Sequence, residues 1–418
     1  MKRTFRSLNS FNYRVWAGGA LVSNIGTWMQ RTAQDWIVLT VLTDRSATAV
    51  GVVMALQFGP HLLLLPVTGF AADHLDRRRL LIATQAVMGA LALGLGVLTV
   101  AGVVQVWHVD VFAFLLGCAS AFDAPARHTF VSELVGEADL SNAVALNSTS
   151  FNAARMVGPA VAGGLIASVG TGWVFLINAA SFGAVLCSLG FLRVGDLHRG
   201  GRAAWTRGSF LEGFRYVRTC PDLMAVLVML FLIGTFGLNF PIFISTMAVS
   251  VFGAGAGQYG LLTSMMAVGT IAGALLAAGR EAPRFTLVCG GAAVFGFGCA
   301  LAAAMPTYWL FGLALVVVGV SALTFTNTTN SLVQLSTAPV MRGRVMAIRL
   351  AIALGGTPIG APIVGWVADR FGPRWALGIG AASGFAAAAV GLRFLVSHRG
   401  LRMGLEAGRL RFSIREAD

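Results

Sequence analysis

"GFAADHLDRRRLL", residues 69–81, separates two long apolar runs, 46–72 and 78–101. Each run is long enough to cross a hydrocarbon layer, which takes about 20 residues. The stretch between them holds Asp73, Asp76 and three consecutive arginines, Arg77, Arg78 and Arg79. Charge confined to a short connection between such runs is the mark of a chain that threads a membrane repeatedly. Composition extends the pattern to all 418 residues, of which 56% are hydrophobic and 11% charged. A soluble domain carries about 25% charged residues, so lipid is the expected solvent.

Twelve runs qualify as spans. They are 15–42, 46–72, 78–101, 106–134, 143–169 and 173–194, then 222–252, 257–279, 285–305, 307–336, 343–368 and 374–397. The only long polar interval, 195–221, divides them six and six. The expected fold class is therefore an all-α membrane protein of twelve transmembrane helices in two pseudo-symmetric six-helix bundles. Residues 1–194 and 222–397 form the bundles, 195–221 a linker and 398–418 a basic, mobile tail. In the linker, Phe210, Phe214 and Val217 share one helical face, with Glu212, Arg215 and Arg218 elsewhere, so a helix lying along the membrane surface is expected. "GPAVAGGLIASVGTGW" (158–173) aligns with "GAPIVGWVADRFGPRW" (360–375), matching Gly158, Gly163, Gly170 and Trp173 to Gly360, Gly365, Gly372 and Trp375. A duplication predicts such a match at the fifth span of each half.

The net charge is +13, and Lys2 is the only lysine. Arginines fall on one side of the spans, with Arg45, Arg370 and Arg374 the exceptions, which puts both termini in the cytoplasm. That pattern explains the basic charge without nucleic acid. The N-terminus runs directly into a full-length span with no cleavable signal peptide expected. The five cysteines form no CxxC pair, so neither disulfide nor metal role is expected.

The loop reads G-x-x-x-D-x-x-x-R-R on Gly69, Asp73, Arg77 and Arg78, and resembles the signature loop of the major facilitator superfamily. Asp76 stands where that family has glycine. Within the superfamily, "GTWMQRTAQDWIVLTVLT" (26–43), "AFDAPARHTFVSELV" (121–135) and "NAVALNSTSFNAARMVGPAVAGGLI" (142–166) are similar to the branch of the enterobactin exporter and macrolide-efflux proteins. The resemblance implies a gate in which Asp73 and Arg77 engage an acidic residue ending span four, here Glu133. It also implies an antiporter motif on span five, carried by Gly158, Pro159, Gly163 and Gly164, with Ala162 replacing one glycine. Independently of the family, Gly69 allows close helix contact and Pro159 bends its helix.

Two charge pairs fall inside spans at i, i+4: Arg31/Asp35 in span one and Asp123/Arg127 in span four. A charge near the bilayer centre costs at least about 3 kcal/mol, and pairing reduces that cost. Asp123, then Asp35, are the proton-coupling candidates, with Arg31 and Arg127 their partners. Trp28, Gln30, Asn152, Arg155, Phe236, Asn239, Phe240 and Asn327 are the cavity candidates. Arg349, a turn or two inside the cytoplasmic edge, reads more simply as a snorkelling side chain, and His61 as a packed residue beside a proline kink.

The expected function is proton-coupled export of a bulky amphipathic molecule (a drug, macrolide or siderophore) by alternating access. Import or lipid flipping on the same fold is the alternative within transport, and a non-transporting receptor or scaffold the alternative outside it. No GxxxxGK[ST] or HExxH motif occurs, which argues against an ATPase or metalloenzyme. The chain is expected to need no cofactor beyond the proton gradient. It is expected to act as a monomer in the bacterial cytoplasmic membrane, with lipid and a small molecule as its partners.

Overall fold

The computed structural model describes residues 5–198, 209–278, 284–398, 402–406 and 409–413. Helices account for nearly all of it. The first seven are α1 (Phe11–Ile37), α2 (Ala47–Leu63), α3 (Leu65–His74), α4 (Arg77–Val100), α5 (Val106–Leu134), α6 (Glu137–Val169) and α7 (Thr171–Gly190). After α8 (Ser209–Thr219) in the linker come α9 (Pro221–Leu232), α10 (Phe240–Thr246), α11 (Ala256–Ala278), α12 (Phe285–Ala304), α13 (Tyr308–Leu335), α14 (Arg342–Phe371) and α15 (Pro373–His398). An antiparallel hairpin, β1 (Arg402–Glu406) with β2 (Arg409–Ser413), departs from the expected all-α chain. It lies in the tail that was expected to be mobile.

Local chemistry sets the helix starts. Ser10 and Ser46 cap α1 and α2 by accepting from Tyr13 N and Ala49 N, and Asp76 caps α4 by accepting from Arg79 N. Such caps satisfy amides that have no partner within the helix. Gly170, at φ 87°, turns the chain between α6 and α7, a backbone that side chains resist.

Nine stretches among the described residues are long and apolar enough to cross a membrane, with α9 through α10 counted as one. The remaining three expected spans coincide with α1, with α2 and α3 together, and with α6. The 17-residue α2 is apolar but short, because Pro60 sits one turn from its end and α3 begins at Leu65. Helices α1 and α6 carry the polar and charged residues that marked them in the sequence. Large apolar side chains stand exposed along the helices, among them Leu63, Leu275, Phe297 and Trp309. Contiguous exposure of this kind requires a lipid or protein cover.

The chain divides into two compact units. One contains residues 1–206, 240–268 and 357–373; the other contains 207–239, 269–356 and 374–418. Within the first, the same close contact occurs twice. A Cβ on Gly163 of α6 would strike the Ala256 carbonyl of α11, and one on Gly260 would strike the Pro159 carbonyl. A Cβ on Gly365 of α14 would strike the Ala47 carbonyl of α2, and one on Gly51 would strike the Ala361 carbonyl. The aligned glycines Gly163 and Gly365 thus each meet the first residue of a partner helix. In the second unit, α8 packs on α14. Glu212 pairs with Arg344 at 2.9 Å, and Gly213 lies against Arg344 and Ile348. Val217 is buried and Phe214 half exposed, while the Phe210 side chain lies outside the described residues.

Candidate functional site

At the loop that opened the sequence, Arg77 Nη1 lies 2.6 Å from Glu133 Oε1, joining the start of α4 to the end of α5. Arg78 Nε donates to the Leu189 carbonyl of α7 at 2.8 Å. The departure at Asp76 has a local cause, since its carboxylate caps α4 as a glycine cannot. The Asp73 side chain lies outside the described residues. Gly69 differs from expectation: a Cβ there would meet nothing within 4 Å, so it mediates no close helix contact in this conformation.

The two charge pairs behave differently. Asp123 and Arg127 form a true ion pair, with Arg127 Nη2 and Nε at 2.6 and 3.0 Å from Asp123 Oδ2. The other carboxylate oxygen accepts from Gln85 Nε2 at 2.6 Å and Thr84 Oγ1 at 3.0 Å, both on α4. Arg127 Nη1 reaches Asn24 Oδ1 on α1 at 2.8 Å. The cluster therefore ties three helices together and leaves Asp123 fully satisfied. Arg31 and Asp35 form no such pair. Helical spacing allows i, i+4 contact but does not compel it, and here each side chain turns to other neighbours. Asp35 is buried and meets the Tyr259 hydroxyl of α11 at 3.4 Å. Tyr259 also stacks on Trp36. Arg31 lies 5.0 Å from the centre of the Trp28 ring and 5.4 Å from that of Phe58, and its buried Nε has no partner. Arg155 lies 5.5 Å from the Trp28 ring centre.

Span five brings these parts together. Gly158 makes room for the Trp28 Cβ. Pro159 and Gly163 face α11, whose Ser264 hydroxyl donates to the Met156 carbonyl at 2.7 Å. Gly164 faces open space. Beside Arg31, a cavity of about 20 Å³ is bordered by Thr27, Gln30, Gln57, Ser120 and Asn178, room for a water. Gln30 accepts from Asn178 there, and Ser120 contacts His61 Nε2 at 3.2 Å.

The other cavity candidates are dispersed. Asn152 donates to Ser148 O of its own helix, and Asn327 is half-buried. Phe236 and Asn239 belong to the segment where the seventh expected span loses regular helix between α9 and α10. Buried Asn239 Oδ1 and Thr235 Oγ1 have no partner there. Phe240 contacts Phe243 edge-on within α10. Arg349 Nη2 donates to Thr326 O at 3.2 Å.

Sequence reasoning missed Tyr259, Gln85, Thr84, Asn24 and Asp110. The first four carried no local signal, since a lone polar residue in a span is ordinary. Asp110 was visible as a carboxylate one turn into α5, and its buried Oδ1 lacks a partner. Asp369 was noticed only as part of an atypical loop. Its carboxylate binds the start of α2, accepting from Ala47 N (2.6 Å), Thr48 N (2.9 Å), Thr48 Oγ1 (2.6 Å) and Ser46 Oγ (3.1 Å). Among the described residues, no group of three His, Cys, Asp or Glu side chains is placed to hold a metal ion.

A helical membrane chain with satisfied and unsatisfied charges among its spans has the build of a secondary transporter. The chain belongs to the transmembrane secretion effector family of the major facilitator superfamily, whose sequence profile matches residues 4–401. It is 24% identical to macrolide efflux protein A of Streptococcus pyogenes over 86% of this chain and 90% of that protein. It is 26% identical to the multidrug efflux pump Tap of Mycolicibacterium fortuitum over 84% and 88%. A 30% match to the staphyloferrin A transporter of Staphylococcus aureus covers 38% of this chain and 40% of that one. The fold is that of an inward-facing, unoccupied bacterial homologue of the human lysosomal transporter Spinster, with TM-score 0.73 and 14% identity over 92% and 98% of the chains. A D-xylose–proton symporter shares it, with TM-score 0.70 and 14% identity over 93% and 98%.

Proposed function

We propose that the protein is a proton-driven exporter of a bulky amphipathic molecule, working by alternating access across the bacterial cytoplasmic membrane. It acts as a monomer without a cofactor. Twelve spans make up two six-helix halves joined by residues 195–221, with α2 and α3 forming one span, α9 and α10 another, and both termini in the cytoplasm. The twice-occurring contact of α6 with α11 and of α14 with α2 supports the duplication. The efflux relatives support export.

One observation carries the coupling. Asp35 is a buried carboxylate with no cation within 4 Å, and its single hydrogen-bond partner, Tyr259, comes from the other half of the duplication. Any rearrangement of α11 against α1 changes what surrounds that carboxylate, and therefore which protonation state is favoured. A ligand or proton shifts such an equilibrium only by its differential affinity for the two states. Asp123 fits the role less well, because a guanidinium and two further donors hold its carboxylate in one place. Arg77 and Glu133, both in the N-terminal half, then hold together the loop that forms the cytoplasmic gate.

The test uses the purified protein in liposomes containing a pH-sensitive dye, with ethidium and a macrolide as probes. Efflux of either probe accompanied by counter-movement of protons is expected, with Asp35→Asn abolishing the proton movement and Asp123→Asn retaining it. Probe transport that proceeds without proton movement would sink the coupling, and absence of transport for every probe would sink the exporter reading.

A further inference from the structure

Arg31 and Arg155 are cations within the spans of the first unit that lack an ion pair, with Asp35 acting on Arg31 only from beyond 4 Å. Neither has a carboxylate within 4 Å, and neither makes a hydrogen bond to protein. The contrast with Arg127 of α5 is informative, since in the same unit the chain supplies that guanidinium with a carboxylate and an asparagine. Two unpaired guanidinium groups at membrane depth are costly, and a structural role offers no reason to hold them bare.

Their surroundings show what they lack. Both lie over the indole of Trp28, Arg31 also lies over Phe58, and Phe151 meets Trp28 edge-on at 5.8 Å. Aromatic rings engage the face of a guanidinium. Its N–H donors point outward in the plane, in a fork that matches a planar oxyanion. The rings thus hold the two groups in position and leave their donors free. Phe151, exposed beside them, extends the aromatic surface. The complement of this arrangement is an oxyanion attached to a flat apolar body.

We infer that Arg31 and Arg155 together bind the anionic group of the transported molecule, which carries a carboxylate or similar oxyanion beside an aromatic body resting on Trp28 and Phe151. The inference rests on the exporter reading for what the ligand is, but its binding test does not depend on transport. A lipid phosphate offers the same chemistry, so lipid is a separate arm of the experiment.

Three probes with one body and different charge separate the outcomes: 2-naphthoate, 2-naphthamide and 2-naphthylmethylammonium. Binding is measured on the full-length protein in phosphatidylcholine liposomes, for wild type and for Arg31→Gln, Arg155→Gln and the two Lys variants. Saturable naphthoate binding is expected, with the amide and the ammonium weaker by about tenfold. Each Gln variant should lose about tenfold in naphthoate affinity with amide binding unchanged, and each Lys variant should recover part of it. A wild type that binds the amide or ammonium as tightly as naphthoate overturns the inference, as do Gln variants that bind naphthoate like wild type. The Lys variants decide the matter if a Gln variant does not fold: naphthoate binding indifferent to the change of fork geometry overturns it too. Adding phosphatidylglycerol distinguishes the source. Displacement of naphthoate, together with absence of naphthoate transport, makes lipid the occupant and overturns the substrate assignment. Efflux of ethidium or macrolide in the same vesicles reports the exporter reading separately, so either idea can fail while the other stands.

Discussion

Asp123 and Asp35 look alike in sequence, each four positions from an arginine in a membrane helix, yet their environments make opposite predictions. Asp123 is held by two donors from α4 and by Arg127 of its own helix, which in turn reaches α1. Removing one partner of such a buried pair leaves an uncompensated charge and costs about 3 kcal/mol or more. Arg127→Gln should therefore lower the thermal unfolding midpoint in detergent sharply. Asp35→Asn changes a buried carboxylate whose one hydrogen bond is a long contact with a hydroxyl, so its midpoint should match or exceed that of wild type. Equal destabilisation by the two changes would contradict the assignment of Asp123 to structure and Asp35 to coupling. For Arg31 and Asp35 themselves, i, i+4 spacing made an ion pair possible. Packing of Trp28 and Phe58 against the guanidinium, and of Tyr259 against the carboxylate, decided against it.

Helices carry the next level of argument. Glycines are the contact points: Gly163 and Gly260 let α6 and α11 meet backbone to backbone, and Gly51 and Gly365 do the same for α2 and α14. The two contacts differ in one respect. Asp369 adds a carboxylate that caps α2 from another helix, whereas its counterpart in the aligned stretch, Ala167, cannot do so. A capping carboxylate contributes about 1 kcal/mol, enough to bias an equilibrium between two closely balanced conformations. Asp369→Ala should loosen the contact of α14 with α2. Spin labels on the exposed positions 44 and 371 should report a new, longer distance population by double electron–electron resonance. A distance distribution identical to that of wild type would mean that the glycine contact alone holds the helices.

For the molecule as a whole, the gate is the decisive element. Arg77 and Glu133 are both mostly buried, with side-chain exposures of 16% and 13%, so reversing one charge leaves two like charges with little water to screen them. Arg77→Glu and Glu133→Arg should each reduce transport by more than about tenfold, and the double reversal should recover much of it, as measured by probe efflux in vesicles. Lack of recovery in the double variant would remove the pair from the gate. Placement of the helices could be read from hydropathy and the linker helix from its amphipathic face, because the cost of unsatisfied backbone in lipid forces apolar stretches into helix wherever they cross, whereas the interruption between α9 and α10 within the expected span 222–252 could not. The count of twelve was harder to read, since α1, α2 and α6 are the stretches that short length or polar content makes least like ordinary spans.

Hydropathy and charge placement alone established a helical membrane chain and the loop carrying Arg77 and Arg78, and the motifs alone suggested its superfamily. These follow from interactions that act over a few residues or between the chain and lipid, and so leave a local trace. Which charges are neutralised and which stay bare, that Tyr259 reaches Asp35, that Asp369 caps α2 and that Arg31 and Arg155 share one indole were settled only when distant helices came together. Those partners stand tens to hundreds of positions apart, and no short-range pattern encodes which rotamer a neighbouring helix will select.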